Sequence, residues 1–165
     1  MYIHIFAMKM MTDVKIEQAI QQKQFKSEFH KAQINVLYTA AWLNQQATQA
    51  LKPYNISVQQ FNILRILRGM QPEPATVKLL TERMIDKMSN ASRLVEKLYK
   101  KGLVERKACE FDRRRVDILI TQAGLDLLAE ASETLENATL QKMHFLESDE
   151  AEILNLFLDR IRTED

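Results

Sequence analysis

The chain has 165 residues, of which 46% are apolar and 27% are charged, and its formal net charge is only +1 at pH 7. It is long enough to bury a core, no stretch approaches the ~20 apolar residues of a membrane span, and its single cysteine excludes a disulfide framework within one chain. With only three glycines and three prolines, the composition predicts a mainly α protein of the reducing cytoplasm.

The charges are distributed unevenly along the chain. Residues 83–115 carry eleven Lys or Arg against five Asp or Glu, a local excess of +6, whereas residues 121–165 carry three basic and eleven acidic side chains. Such a split is typical of a protein whose middle faces a polyanion, although a solvated surface of mixed charge has the same composition. Composition alone leaves both interpretations open.

Two helical patterns open the chain. A weak pattern covers Asp13 to Phe25, and a stronger one runs from Ser27 to about Leu51, where Pro53 follows as a helix breaker. The sequence therefore predicts a long helix near the N-terminus, preceded by a less certain one.

The next helix is predicted in SVQQFNILRILRGM. Ser57 and Gln60 have the spacing of a capping box, and Gly69 stands near the predicted end. The buried stripe comprises Phe61, Ile63, Leu64 and Leu67. The segment QPEPA that follows is a predicted loop.

Two shorter helices are predicted in residues 76–84 and 86–102, with a turn near residues 85–87 and Gly102 as the glycine that ends the second. The second helix has an apolar face of Met88, Ala91, Leu94, Val95 and Leu98. Its opposite face is polar and basic and comprises Ser89, Asn90, Arg93 and Lys97. Such a face suits a helix in a DNA major groove, where base edges lie within reach of its first turns.

The period then changes from 3.6 to 2 residues. Leu103 begins one predicted strand, Val116, Ile118 and Ile120 alternate along another, and residues 108–113 connect them as a hairpin.

Two further helices are predicted to close the chain. They run from Gln122 to about Phe145 and from Asp149 to Ile161, with Ser148 as the N-cap of the last. The last helix carries a stripe of Ile153, Leu154, Leu156, Phe157 and Ile161. A terminal helix this apolar needs a cover, and a second copy of the chain is the simplest one.

Four motifs in this order resemble the MarR family of bacterial transcriptional regulators. They are SVQQFNILRIL, LLTERM, SRLVEKLYKKGLVER and DRRRVDILITQAG, which together span about residues 57–124. The resemblance implies a mainly α winged helix-turn-helix fold with a small β-hairpin wing. It also implies a homodimer that binds pseudo-palindromic operators, with a winged domain at 55–121 and dimerisation helices at 12–51 and 122–165.

The resemblance also assigns roles to residues of this sequence. The family pattern Asp-x-Arg falls on Asp112 and Arg114, so Arg114 is expected to enter the minor groove at the wing tip while Asp112 restrains it. The recognition helix is expected from about Met88 to Lys101. The remaining expected DNA contacts are Lys87, Ser89, Asn90, Ser92, Arg93, Lys97 and Arg113. Without the resemblance, capping and surface solvation would explain the same side chains.

The turn before the recognition helix departs from the family pattern. Ile85 and Asp86 stand where Gly and a small apolar residue are frequent. Because Ile is strained at positive φ, a different backbone is predicted there, with Asp86 as a candidate N-cap.

An effector site and other functions complete the predictions. The resemblance suggests release from DNA by a small aromatic ligand in a cleft lined by Phe29, His30, Tyr38 and Trp42, although plain core packing would use the same residue types. Cys109 is expected to be incidental, with an oxidation-sensitive thiol as the less favoured interpretation.

No Gly-rich phosphate loop, metal-spaced His and Glu cluster or activated nucleophile is present, so no enzyme, cofactor or metal is predicted. The alternative function is a winged-helix protein-interaction module with weak or no DNA binding. Its affinity would lack the steep salt dependence of phosphate contacts.

Overall fold

The chain is described by a computed structural model over residues 14–108 and 116–163. Two compact units divide between Leu43 and Asn44. Seven α-helices and one two-stranded sheet lie in the described residues: α1 (Ile16–Ala19), α2 (Glu28–Ala50), α3 (Val58–Met70), α4 (Val77–Arg83), α5 (Ala91–Lys100), β1 (Val104–Ala108), β2 (Val116–Ile120), α6 (Gln122–Met143) and α7 (Ser148–Ile161). A 3₁₀ turn, Lys52–Tyr54, follows α2.

The first unit contains α1 and most of α2. Helix α1 has only four residues, so the predicted helix from Asp13 to Phe25 is wrong in length. The backbone turns at Gln21, which takes a left-handed φ of 56°. An ion pair of 2.6 Å joins Glu17 to Lys31, and the hydrogen bond from Lys31 lowers the pKa of Glu17. The long helix α2 matches its prediction closely.

Helix α3 begins with the predicted capping box. The Gln60 amide N–H donates to the Ser57 hydroxyl at 3.2 Å, and the Ser57 amide N–H donates to Oε1 of Gln60 at 3.1 Å. Two of the amides that a helix start leaves unpaired are thereby satisfied. The helix continues one residue beyond Gly69, to Met70.

Gly102 ends α5 as predicted. It has a φ of 70°, and its N–H donates to the Tyr99 carbonyl at 2.9 Å, while the Leu103 N–H donates to the Leu98 carbonyl at 3.1 Å. These two bonds form a Schellman motif, which satisfies the last carbonyls of the helix and directs the chain into β1.

The hairpin is antiparallel, with Val104 opposite Ile120 and Ala108 opposite Val116. Ala75, in the loop between α3 and α4, forms a bridge to Ile118 with backbone hydrogen bonds of 2.8 and 2.9 Å. Strand β2 is therefore hydrogen-bonded both to β1 and to the loop between α3 and α4.

The start of α6 packs closely against the segment that joins α5 to β1. A Cβ added to Gly124 would lie 2.2 Å from the Leu103 carbonyl oxygen, so only glycine fits there without a shift. Thr121 caps α6 by accepting from the Gly124 N–H at 3.1 Å.

One hydrophobic core holds the second unit together. It draws on Leu51, which follows α2, on α3, α4 and α5, on both strands and on α6. Its fully buried larger side chains are Leu51, Ile63, Leu64, Leu67, Leu80, Met84, Val95, Leu98, Val104, Ile118 and Leu128.

The last helix differs from its prediction at its start. Ser148 is its first helical residue, whereas Glu147 is the N-cap and forms a capping box with Glu150. Ser148 as N-cap is therefore wrong, because Ser148 is already helical and Glu147 holds the N-cap position, where its N–H donates to the Glu150 carboxylate at 3.0 Å. None of the residues in α7 is buried, and its predicted apolar stripe is exposed along its length. Within the described residues, no helix is long and apolar enough to cross a membrane.

Candidate DNA-binding surface

Helix α5 has one face in the core and one in solvent. Ala91, Val95 and Leu98 are buried, as the sequence predicts for this face. Ser92, Arg93 and Lys97 lie on the exposed side. Because the buried face is fixed by packing, the exposed side chains project from a helix whose orientation is set by the core.

The start of α5 corrects the predicted recognition helix. It begins at Ala91 instead of about Met88, and Asn90 is its N-cap, with Oδ1 accepting from the Arg93 N–H at 2.9 Å. Met88, expected on the apolar face, is 93% exposed. The residues from Lys87 to Ser89 belong to the turn before the helix. Any DNA contact of Lys87 or Ser89 would therefore come from this turn and not from the recognition helix itself.

Asp86 holds this turn together. Its carboxylate accepts from the Ser89 hydroxyl at 2.6 Å and from the Met88 N–H at 3.0 Å. The Ser89 hydrogen bond, followed by the Met88 N–H, lowers the pKa of Asp86. Asp86 is therefore not the N-cap of α5, because its oxygens are bound to the turn that precedes the helix.

The turn also has the different backbone predicted for Ile85. Among the described non-glycine residues, only Gln21 and Asn55 have left-handed φ, so Ile85 avoids that strain. The Ile85 N–H donates to Oδ1 of Asn62 at 3.1 Å, and Asn62 is only 6% exposed. The sequence contains a signal for this contact, because Asn62 is a polar residue within the apolar stripe of α3.

Basic side chains near α5 fall into two groups. Glu96 pairs with Arg106 at 2.6 Å and with Lys100 at 3.6 Å. By contrast, Arg93 and Lys97 have no carboxylate within 4.0 Å in the part of the chain that the structure describes. Their charge is therefore free to attract an anion.

A groove runs beside the free cations. It has a volume of about 250 Å³ and is lined by Gln59, Ser89, Asn90, Arg93, Leu94 and Lys97. It therefore brings together four of the predicted contacts. Ser92 is exposed on the same helix, and Lys87 donates its ammonium to the Glu82 carbonyl. Gln59 was not predicted, although its position one residue before the capping-box Gln60 places it at the first turn of α3.

The wing tip lies outside the described residues. This concerns Asp112, Arg113 and Arg114, and also Cys109. The two strands that carry the tip are described, and their ends at Ala108 and Val116 are paired.

The residues predicted for an effector cleft all lie on α2. Phe29 is 89% exposed and Tyr38 is also exposed, whereas His30 and Trp42 are half-buried. Nδ1 of His30 is buried and has no hydrogen-bond partner in the described part of the chain, and the ring packs edge-on against Phe25 at 5.8 Å. Among residues 14–108 and 116–163, no group of three His, Cys, Asp or Glu side chains could hold a metal ion.

Comparison with known proteins identifies relatives of this architecture. The model of the MarR family matches residues 56–116. A mutant MarR from E. coli, solved in complex with operator DNA, superimposes with a TM-score of 0.73 at 19% sequence identity, covering 86% of this chain and 100% of that chain.

Two other solved structures are similar. The S. aureus MepR–DNA complex gives a TM-score of 0.70 at 20% identity, over 84% of this chain and 97% of that chain. The organohalide-sensing transcriptional regulator RdhR in its 2,4-dichlorophenol-bound form gives 0.76 at 21% identity, over 86% and 85%. At these identities the likeness establishes the fold, which is mainly α with a two-stranded hairpin as predicted.

Proposed function

Because the chain belongs to the MarR family of winged helix-turn-helix transcriptional regulators, we propose that it binds pseudo-palindromic operator DNA as a homodimer and represses transcription in the bacterial cytoplasm. The observation that carries the proposal is the exposed side of α5, where Arg93 and Lys97 lack carboxylate partners in the described residues beside a groove. The complexes of MarR and MepR with DNA support it by analogy.

In the proposed complex, α5 lies in the major groove. Ser92 and Arg93 are in its first turn and Asn90 is its cap, so these side chains are nearest to the base edges. Lys87, Ser89 and Lys97 flank them and contact phosphates, which position the helix without reading sequence.

The wing completes the proposed complex. Arg114 enters the adjacent minor groove with Asp112 restraining it, and Arg113 contacts the backbone. The negative potential of a narrow minor groove attracts an arginine without requiring a specific base. Arg114 of each protomer would then contact the minor groove beside the half-site that α5 reads.

The homodimer is supported by the exposed apolar stripe of α7. A single chain leaves Leu156, Phe157 and Ile161 in water. Covering such a stripe with the same stripe of a second chain produces two-fold symmetry, which matches the symmetry of a pseudo-palindrome.

Selection of binding sites from a random duplex library tests the proposal. We expect enrichment of a pseudo-palindrome with half-sites about one helical turn apart, and an affinity that falls steeply with salt. Arg93→Ala and Arg114→Ala should each weaken binding to that operator by about 1–3 kcal/mol, while leaving thermal unfolding unchanged.

Lys78→Ala is the matched control, because Lys78 is an exposed lysine of α4 whose only described partner is Glu82 at 4.0 Å. It should bind like the wild type. No enrichment, together with binding that is insensitive to salt, would favour a protein-interaction module instead.

We also propose release from DNA by a small aromatic effector near Phe29, His30, Tyr38 and Trp42. The half-buried Trp42 offers an aromatic ring against which such a ligand would stack. RdhR, solved with 2,4-dichlorophenol, makes this compound a suitable probe. Since Trp42 is the only tryptophan, saturable quenching of its fluorescence is expected. An unchanged spectrum would argue against an effector at this place.

A further inference from the structure

The turn before α5 contains an apolar side chain that the fold leaves in water. Met88 is 93% exposed, the largest exposed fraction among the exposed large apolar side chains of the described residues. Within these residues it belongs neither to the hydrophobic core nor to the partly buried side chains packed against the core. A single exposed apolar residue is common on protein surfaces, so exposure alone assigns Met88 no role.

The backbone around Met88 is held in place by Asp86. The Met88 N–H donates to Oδ1 of Asp86 at 3.0 Å, and the Ser89 hydroxyl donates to Oδ2 of Asp86 at 2.6 Å. The Ser89 N–H also donates to the Asp86 carbonyl at 3.3 Å. These hydrogen bonds fix the point at which the Met88 side chain leaves the backbone.

Met88 adjoins the proposed DNA-binding surface. Ser89 and Asn90, the next two residues, line the groove that also contains Arg93. Lys87, on the other side of Met88, is exposed and basic. An exposed apolar side chain therefore lies in a segment, residues 87–90, whose other side chains are polar or basic.

The major groove of DNA offers an apolar partner for such a side chain. Among the groups that base edges present there, the C5-methyl of thymine is the apolar one. The N-terminal end of a recognition helix lies closest to the base edges, and the turn before α5 adjoins that end. Methionine is unbranched and adaptable, so its side chain can adjust to the position of a methyl group.

We propose that Met88 contacts the C5-methyl of a thymine in each half-site of the operator. The contact removes both groups from water, which is worth about fourfold in affinity per methyl group and roughly tenfold or more for the two half-sites together. This contact rests on the proposed function, because it requires the turn before α5 to enter the major groove. It adds a preference for thymine that depends on no hydrogen bond.

Replacement of thymine by uracil tests the contact on the DNA side. The operator is the one obtained by selection, and its thymines are replaced singly, at symmetric positions of the two half-sites. Uracil pairs as thymine does and lacks only the methyl group. At one position the dissociation constant of the wild type, measured by fluorescence anisotropy of labelled duplex, should rise by roughly tenfold.

Met88→Ala tests the contact on the protein side. Its dissociation constant for the unmodified operator should rise by a similar factor, and it should bind the thymine and uracil operators within about twofold of each other. Met88→Leu keeps an apolar side chain of similar size and should still prefer thymine. Because the contact is apolar, Met88→Ala should leave the salt dependence of the affinity unchanged. Thermal unfolding verifies that both variants fold.

Two controls assign the preference to Met88. Ile85→Ala removes the other exposed apolar side chain of the same turn, 81% exposed and next to α4, and should prefer thymine as strongly as the wild type. Arg93→Ala removes a charge instead of an apolar contact, so it should weaken binding to the thymine and uracil operators by the same factor.

Several results would overturn the proposal. They are selected half-sites without thymine, a wild type that is indifferent to uracil at every position, a thymine preference that persists in Met88→Ala, and an equal loss of that preference in Ile85→Ala. Salt-dependent binding together with any of these would leave the proposed function standing, whereas no DNA binding at any salt concentration would reject both. Sedimentation of Met88→Ala should match that of the wild type, and a smaller species would instead assign Met88 to a contact between two chains.

Discussion

The winged-helix segment and helix α7 place their apolar side chains in opposite environments. In α3, Ile63 and Leu64 are fully buried within a single chain, whereas Leu156 and Phe157 in α7 are about half exposed. Both helices have a stripe at helical spacing, so the difference lies in whether one chain supplies the cover. A single chain therefore buries the apolar stripe of the winged segment. The apolar stripe of α7 remains exposed in a single chain, and the proposed dimer would bury it.

The largest test of this difference compares two leucines. Leu64→Ala should lower the free energy of unfolding by about 2–5 kcal/mol, because a fully buried side chain leaves a cavity. Leu156→Ala, at a residue 57% exposed, should change the unfolding of the dissociated chain by less than about 0.5 kcal/mol and weaken self-association instead. Urea unfolding and sedimentation at two protein concentrations measure both effects. Equal losses at every concentration would remove the distinction between the two regions.

A second test concerns close packing within the winged segment. Gly124→Ala should destabilise the fold by about 1–3 kcal/mol, because the new Cβ meets the Leu103 carbonyl oxygen. Gly69→Ala is the matched control, since no atom lies within 4 Å of its added Cβ and alanine favours a helix by up to about 1 kcal/mol. Thermal unfolding of the two variants should therefore shift in opposite directions. A shift of both in one direction would contradict the packing at Gly124.

The cap of α5 gives a smaller effect. Asn90→Ala should cost about 1 kcal/mol, because the Arg93 N–H loses its acceptor. Asn90→Ser retains an acceptor and should remain within a few tenths of a kcal/mol of the wild type. Chemical denaturation compares the three proteins, and a serine variant as unstable as the alanine variant would exclude the capping role.

The smallest effect is that of pH on the turn before α5. Since the pKa of Asp86 is lowered, its stabilising contribution is present at neutral pH and is lost as the pH falls through that lowered pKa. The difference in stability between the wild type and Asp86→Asn should therefore shrink as the pH falls through that lowered pKa. In Ser89→Ala, NMR titration should find the pKa of Asp86 closer to its ordinary value, because the main hydrogen bond is gone. An unchanged pKa would show that Ser89 is not its cause.

Local signals were predicted correctly from the sequence. The capping box of Ser57 and Gln60, the C′ glycine Gly102 and the strand pair each depend on residues close together in the chain. Their geometry follows from backbone chemistry that the neighbouring residues determine.

The errors lie where two local solutions compete. Both Asp86 and Asn90 are good N-cap residues, and the burial of Ala91 together with the contact from Asn62 decides for Asn90. Ser148 is likewise a better N-cap by type than Glu147, which forms the cap through its pair with Glu150. The choice between two possible N-cap residues depends on packing and on side-chain pairs, and the sequence pattern does not show which of the two is preferred.

The candidate site was partly predictable for the same reason. The exposed side of α5 followed from helical spacing, but the groove of about 250 Å³ did not, because its lining combines Gln59 of α3 with residues of α5 and the turn before it. Gln60 was assigned wholly to its cap, and only the structure shows that one end of its amide remains without a partner in the described residues.

The cap of α5 has a consequence for the operator code that the proposed regulator would read. Since Oδ1 of Asn90 accepts from the Arg93 N–H, the two Nδ2 hydrogens are the part of this side chain left to donate to DNA. The two-bond pairing of asparagine with adenine needs both a donor and an acceptor. Asn90 would therefore favour base edges that only accept, such as N7 and O6 of guanine or O4 of thymine.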